Sequence, residues 1–253
     1  MLIRSLAYNV WFILITSILA PGGMIAAALG SRPALVYGRF WAGLLLGGLR
    51  VLCGVRVEVR GAENLPDGPA LIASMHQSAF DTLVWFGLVP GVSYVVKREL
   101  ARIPIFGRVF AMSGMIVVDR DGGAASIRAL QKDARQAVAD RRQIVIFPEG
   151  TRTDPGSPIV LQPGIAAIAR QTGLPVIPVA TDSGICWGRR SFRKTPGIIH
   201  IVILPPLAVG LRREELLIQL RQALEAGAAA IAAVDNSVGQ PSTGLPDHAR
   251  LTR

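Results

Sequence analysis

His76 and Asp81 stand five positions apart in the segment His76-Gln77-Ser78-Ala79-Phe80-Asp81. An apolar run over 70–74 precedes them and reads as a strand. A carboxylate bonded to one imidazole nitrogen fixes the tautomer and stabilises the charged ring. The other nitrogen is then free to take a proton from a hydroxyl. In a continuous helix an offset of five would set the two side chains about 140° apart. They meet if His76 lies in a loop and Asp81 in the first helical turn. By itself, His-x4-Asp also fits a loop histidine bonded to a nearby helix cap. Two further histidines exist. His248 is in the C-terminal tail, and His200 sits within an Ile/Val run, where it reads as structural.

A second block, Phe147-Pro148-Glu149-Gly150-Thr151-Arg152, follows another strand-like run over 143–147. Gly150 permits a tight backbone turn. Thr151 offers a hydroxyl, and Arg152 a planar fork suited to phosphate. Glu149 is expected to hold that arginine or a substrate hydroxyl. The plainer reading is a strand-to-loop turn with a local salt bridge. No Gly-x-Ser-x-Gly elbow occurs, so a serine nucleophile of that kind is excluded. Ser78 reads as part of the His76 loop. Cys53 and Cys186 have no metal-ligand spacing, and a disulfide between them is not expected.

Chemistry in open α/β sheets gathers at the carboxyl ends of strands, and the elements around these blocks fit such a sheet. Val55, Val57 and Val59 alternate with Arg56, Glu58 and Arg60, a strand with one wet face. Further strands are expected at 70–74, 93–96, 115–118, 143–147, 176–180 and 198–204. Helices are expected at 126–142, where Ile127, Leu130, Ala134 and Val138 form one stripe, at 164–172 and at 212–234. The alternation predicts an α/β domain over 55–236, a mixed sheet covered by helices. The segment 237–253, rich in Pro, Ser and Gly, reads as a disordered tail.

The 253 residues are 51% hydrophobic and only 17% charged, with a formal net charge of +10. A soluble domain carries about 25% charged residues. The N-terminus holds the excess apolar content. Residues 5–20 form a helix of about 24 Å, short of a bilayer core of about 30 Å. Pro21, Gly22 and Gly23 then interrupt. If the helix continues through Pro21 it can span; if it breaks there, it dips into one leaflet. A secretory signal peptide is disfavoured, because a second apolar helix follows over 33–53. Arg39 and Arg50 flank that helix, and Gly43 and Gly47 have small-xxx-small spacing. A pair of core helices covering the sheet is the plainer alternative. The first 57 residues contain five Arg and no Asp or Glu. Cations among apolar runs suit an anionic bilayer surface. No block of adjacent Lys and Arg suggests nucleic acid. Residues 1–54 are therefore expected to be a membrane-associated helical segment.

Taken together, the blocks resemble the glycerolipid acyltransferase family, of the bacterial type that acylates lysophosphatidic acid (1-acyl-sn-glycerol-3-phosphate). The family's Asn-His-x4-Asp is similar to Met75-His76 through Asp81. Its Phe-Pro-Glu-Gly-Thr-Arg-Ser matches 147–152 and ends here in Thr153. Lys97-Arg98-Glu99-Leu100, Ile103-Pro104-Ile105-Phe106-Gly107 and Gly114-Met115-Ile116-Val117-Val118-Asp119-Arg120 resemble the surroundings of the second motif. Val176-Ile177-Pro178-Val179 resembles the fourth. The likeness covers roughly 55–204. Met75 departs from the frequent Asn, and Asp119 stands before Arg120 where relatives often differ.

The resemblance implies transfer of a fatty acyl group from a thioester to a glycerol hydroxyl. His76 would take the hydroxyl proton, Asp81 would orient His76, and no acyl-enzyme would form. Lys97, Arg120 and Arg152 would bind an acceptor phosphate of charge about −2, with Gly150 and Thr151 shaping the loop and Glu149 among the substrate-binding residues. The partners would be membrane lipids, a lysophospholipid acceptor, and acyl-CoA or acyl carrier protein as donor, with no cofactor, metal or nucleic acid. The implied location is the bacterial inner (cytoplasmic) membrane, with the site facing the cytoplasm. Acylation of a lyso-ornithine type lipid or of glycerol-3-phosphate is the alternative. A non-catalytic lipid-binding module is a more remote one.

Overall fold

The computed structural model describes residues 1–101, 112–118 and 123–238. Arg120 and the expected motif residues 103–107 lie outside them. So do residues 239–253 of the expected tail.

Two antiparallel helices open the chain, α1 (Leu2–Ala28) and α2 (Ser31–Cys53). Pro21 lies inside α1, which runs on through it. A proline there removes one helix hydrogen bond, and the Tyr37 hydroxyl from α2 donates to the nearby Leu19 carbonyl at 2.8 Å. The hairpin is held by indole bonds. Trp11 Nε1–H donates to Leu44 O (3.1 Å) and Trp41 Nε1–H to Thr16 Oγ1 (3.2 Å). Gly43 and Gly47 do not make the close approach their spacing suggested, for nothing stands within 4 Å of a Cβ added at either. Gly48 and Gly22 serve that purpose. A Cβ at Gly48 would strike the Trp11 indole, and one at Gly22 the Tyr37 ring. Gly48→Val is therefore expected to cost ~1–3 kcal/mol by overpacking, while Gly43→Val stays near zero. Thermal unfolding of both variants in one detergent checks this; equal loss would refute it.

A seven-stranded sheet follows, in the order β1-β7-β6-β2-β5-β3-β4. The strands are β1 (Val55–Arg60), β2 (Leu71–Ser74), β3 (Val92–Lys97), β4 (Ile116–Val118), β5 (Gln143–Ile146), β6 (Val176–Thr181) and β7 (Gly197–Ile203). From β6 to β4 neighbours run parallel, whereas β7 is antiparallel to β6 and parallel to β1. The sheet is mixed, as expected. Its central strands β2, β5 and β6 are buried throughout, as strands covered on both faces must be.

Side chains alternate between two cores. Ile72, Val145, Ile177 and Ile199 face α1, α2 and α3 (Phe80–Leu88). Leu71, Ile144, Val176 and Ala180 face the helices Gly123–Ala139, Gly164–Thr172 and Arg213–Val238. The last of these runs to Val238, past the expected end at 234 and into the stretch read as tail.

Arg39 does more than flank an apolar run. Its guanidinium reaches the C-terminus of α3 and donates to the carbonyls of Phe86 (2.9 Å), Gly87 and Val89 (3.4 Å each), the groups a helix leaves unpaired.

Candidate active site

Three loops meet at the carboxyl ends of β2, β5 and β6. After β2, Met75 N–H still bonds Val179 O at 2.9 Å. The chain then leaves the sheet at His76 and enters α3 at Phe80. Asp81 thus falls in the first turn of α3. The loop-then-helix geometry is the one in which an offset of five brings the two side chains together. His76 Nδ1 lies 3.0 Å from Asp81 Oδ2. A carboxylate only accepts, so Nδ1 carries a proton, and in the neutral imidazole Nε2 then keeps its lone pair. The same Oδ2 accepts from the N–H groups of Gln77 (2.7 Å) and Ser78 (2.8 Å). Ser78 is fully buried, and its hydroxyl oxygen accepts from Phe80 N–H, in keeping with a loop role. Asp81 is 2% exposed, so its hydrogen bonds act in a medium that strengthens them.

The loop after β5 is fastened to the His76 loop from both sides. Glu149 Oε2 accepts His76 N–H at 2.7 Å, and Thr153 N–H donates to His76 O at 2.8 Å. Glu149 Oε1 accepts from Thr153 Oγ1 at 3.0 Å. Glu149 was expected to hold Arg152 or a substrate hydroxyl. It is instead buried and holds the backbone that carries His76. Gly150 has φ +71°, the left-handed conformation its turn needs, and its N–H closes that turn on Phe147 O at 2.9 Å. The Phe147 ring stacks on the His76 imidazole, with centroids 4.0 Å apart and planes at 18°.

Burial raises the Glu149 pKa from 4.5 to about 7. The bonds from His76 N–H and the Thr153 hydroxyl oppose the rise, and the neighbouring Asp81 adds to it. The folded chain thus holds a proton that the unfolded chain releases between those values. The group's stabilising contribution is complete below the unfolded pKa and is lost as pH rises through the folded one. The loss amounts to ~3 kcal/mol. Glu149→Gln mimics the protonated form, with its oxygen accepting from His76 N–H and its amide donating to Thr153. Denaturant midpoints across this pH range should fall for the wild type and stay flat for Glu149→Gln. Parallel curves would refute the assignment.

The third loop follows β6. Gly184 N–H donates to Gln77 Oε1 at 3.1 Å, and a Cβ there would crowd Pro155 and Gln77. Further along, Lys194 is 3% exposed. Its ammonium donates to Asn9 Oδ1 (2.6 Å) and Phe192 O (3.1 Å) and lies 4.9 Å from the centroid of the Trp187 ring. Its backbone N–H donates to Ser5 Oγ at 3.0 Å. This loop is therefore tied to α1.

Between these loops and the two N-terminal helices opens a cleft of about 1540 Å³. Of the expected site residues, His76, Lys97, Gly150, Thr151 and Arg152 line it, as do Leu19, Tyr37 and Trp41 of the helices. Asp81 and Glu149 stand behind it. Arg152 is half-buried. Burial lowers its pKa, Asp81 raises it, and Arg189 lowers it further. Arg189 and Arg190 also line the cleft, and sequence reasoning passed over them. Their signal was an adjacent basic pair shortly after the carboxyl end of β6. Phe147, Thr153 and Gln77 were also missed as site builders. Among the described residues no group of three or more His, Cys, Asp or Glu is arranged to hold a metal ion.

A mixed α/β sheet that sets His76, backed by Asp81, on a largely apolar cleft beside two exposed apolar helices fits the acyltransferase class. The chain belongs to the acyltransferase family, whose model matches residues 56–182. It is 36% identical over 177 residues to the 1-acyl-sn-glycerol-3-phosphate acyltransferase of Pseudomonas aeruginosa, a match covering 70% of this chain and 69% of that one. It is 32% identical over 169 residues to the alpha form of that enzyme from Homo sapiens, covering 65% and 59%. The chain thus spans about three fifths of the human relative's length. The crystal structure of the 1-acyl-sn-glycerophosphate (LPA) acyltransferase PlsC from Thermotoga maritima shares the fold. Its TM-score is 0.73 at 22% identity, covering 92% of this chain and 98% of that one.

Proposed function

We propose that the protein esterifies the free hydroxyl of 1-acylglycerol-3-phosphate with a fatty acyl group, making phosphatidic acid. The observation that carries this is the double fastening of the His76 and 147–153 loops. It sets a base with a free nitrogen and the Arg152 fork along one cleft that reaches the apolar helices. The names of the relatives support the same acceptor.

In this reading His76 Nε2 takes the hydroxyl proton as the oxygen attacks the thioester carbonyl. Asp81 holds the Nδ1 proton and stabilises the imidazolium. That imidazolium returns the proton to the leaving thiolate as the new ester forms. Arg152 and Lys97 hold the acceptor phosphate. Acyl-CoA or acyl carrier protein supplies the acyl group. No cofactor is called for, because thioester cleavage drives the step.

The helices lie in one leaflet of the cytoplasmic membrane, with the site facing the cytoplasm. Each helix is long and apolar enough to cross a membrane. Yet α1 is bonded to the catalytic unit through Ser5 and Asn9, and α2 through Arg39. Their outward residues, among them Ile3, Ile13, Ile18 and Val36, are left bare. Such a face suits the acyl boundary of one leaflet. The paired change Ile13→Glu and Ile18→Glu is expected to shift the protein toward the soluble fraction. Unchanged sedimentation with vesicles would contradict this.

The acceptor is tested by offering purified protein equal amounts of 1-acylglycerol-3-phosphate, lyso-ornithine lipid and glycerol-3-phosphate with either donor. Phosphatidic acid is the expected product. Incorporation only into the phosphate-free lipid would overturn the assignment.

A further inference from the structure

Arg189 and Arg190 sit in the loop after β6, a place that no step described above uses. Both line the cleft that holds His76 and Arg152. Both side chains are exposed, and neither has an ion-pair partner among the described residues. Arg190 adopts φ +53°, a left-handed conformation that costs energy in a bulky residue and persists where surrounding structure imposes it. The surrounding structure here is the Lys194 knot. Its bonds to Asn9, Phe192 and Ser5 fix the loop against α1. The lysine's own charge is engaged there, over the Tyr8 and Trp187 rings, and does not serve the cleft. Arg193, in the same loop, does not line it.

The charge balance of the cleft points the same way. Lys97, Arg152, Arg170, Arg189, Arg190 and Arg213 line it, against the single carboxylate of Glu99 among its described lining residues. Arg189 stands near enough to Arg152 for the two charges to oppose one another. Like charges gathered without counter-ions cost energy that an anion between them recovers.

We infer that Arg189 and Arg190 form, with Arg152, a phosphate-binding site at the rim of the cleft. The inference rests on the proposed function for which phosphate it takes. A phosphomonoester presents several acceptor oxygens at once and accommodates more than one guanidinium. The acceptor's headgroup and the phosphates of a CoA donor share that chemistry. The knot ties the loop that carries the pair to α1, a helix proposed above to lie in the membrane, where a lipid headgroup would arrive.

The test is equilibrium titration of the full-length protein, which needs no turnover. The probes are a soluble short-chain 1-acylglycerol-3-phosphate, the matching monoacylglycerol, and CoA. The variants are Arg189→Ala with Arg190→Ala, the same pair changed to Lys, and Arg193→Ala as control. The double alanine variant is expected to bind the phosphate-bearing acceptor at least about tenfold more weakly. Lysine should restore part of the loss, and the monoacylglycerol and Arg193→Ala should show no change. Weakening for CoA alone would assign the same site to the donor's phosphates. Equal affinity of wild type and double variant for both phosphate ligands would overturn the inference. Failure of the proposed function would appear separately, as wild type that makes no phosphatidic acid in the acceptor panel.

Discussion

Replacing His76 by alanine is expected to lower kcat by about 10²–10⁴-fold, the range a positioned general base supplies. The reason lies in the arrangement of its two nitrogens. Nδ1 is committed to Asp81 at 3.0 Å, so only Nε2 can take a proton. Ser78, the one hydroxyl-bearing residue between His76 and Asp81, is buried and its oxygen accepts from Phe80 N–H. The variant should keep its fold, because the backbone clamps at residue 76 use its N–H and C=O and not its ring. Acceptor KM should change little, since Arg152 and Lys97 are untouched. Initial rates over a range of acceptor concentrations read both quantities. Normal turnover by the variant would remove His76 from the mechanism.

Asp81→Asn should be comparably severe, up to about 10⁴-fold in kcat, as in hydrolytic triads where an amide replaces the carboxylate. The amide oxygen can still accept from Gln77 and Ser78 N–H, so the loop is kept. The charge that stabilises the imidazolium is lost, although the same amide oxygen can still accept from Nδ1–H. A further contribution is the anion at the start of α3, which the helix dipole favours by about 0.3–1 kcal/mol. The expected signature is a collapse of kcat with melting behaviour close to wild type. Retention of more than about a tenth of the rate would show that ring orientation is set by other means. The stacked Phe147 is then the first suspect.

The sequence carried the elements well because apolar periodicity is local. The strands at 143–147 and 176–180 and the helix at 164–172 were legible to within about two residues. Strand order was not, since nothing local says that β7 pairs antiparallel with β6. The His76–Asp81 meeting was legible only as a condition, loop then helix, which α3 satisfies by starting at Phe80. The function of Glu149 was hidden because its partner lies 73 positions away. The nearest arginine in sequence drew the expectation to Arg152. The glycine contacts failed for a similar reason. Spacing within α2 names Gly43 and Gly47, but the rotation of α2 is set by Trp11 of α1, which selects Gly48. Arg189 and Arg190 belong to no periodic pattern, and only the meeting of three loops gives them meaning.

The central claim is a direct transfer, in which the acyl group passes from thioester to hydroxyl with His76 as base. The measurement that tests it is release of free thiol from acyl-CoA by purified protein on vesicles, followed with and without 1-acylglycerol-3-phosphate. Thiol should appear only with the acceptor, in one-to-one proportion to phosphatidic acid, and His76→Ala should abolish both. A burst of thiol without acceptor, or thiol release without matching product, would contradict it.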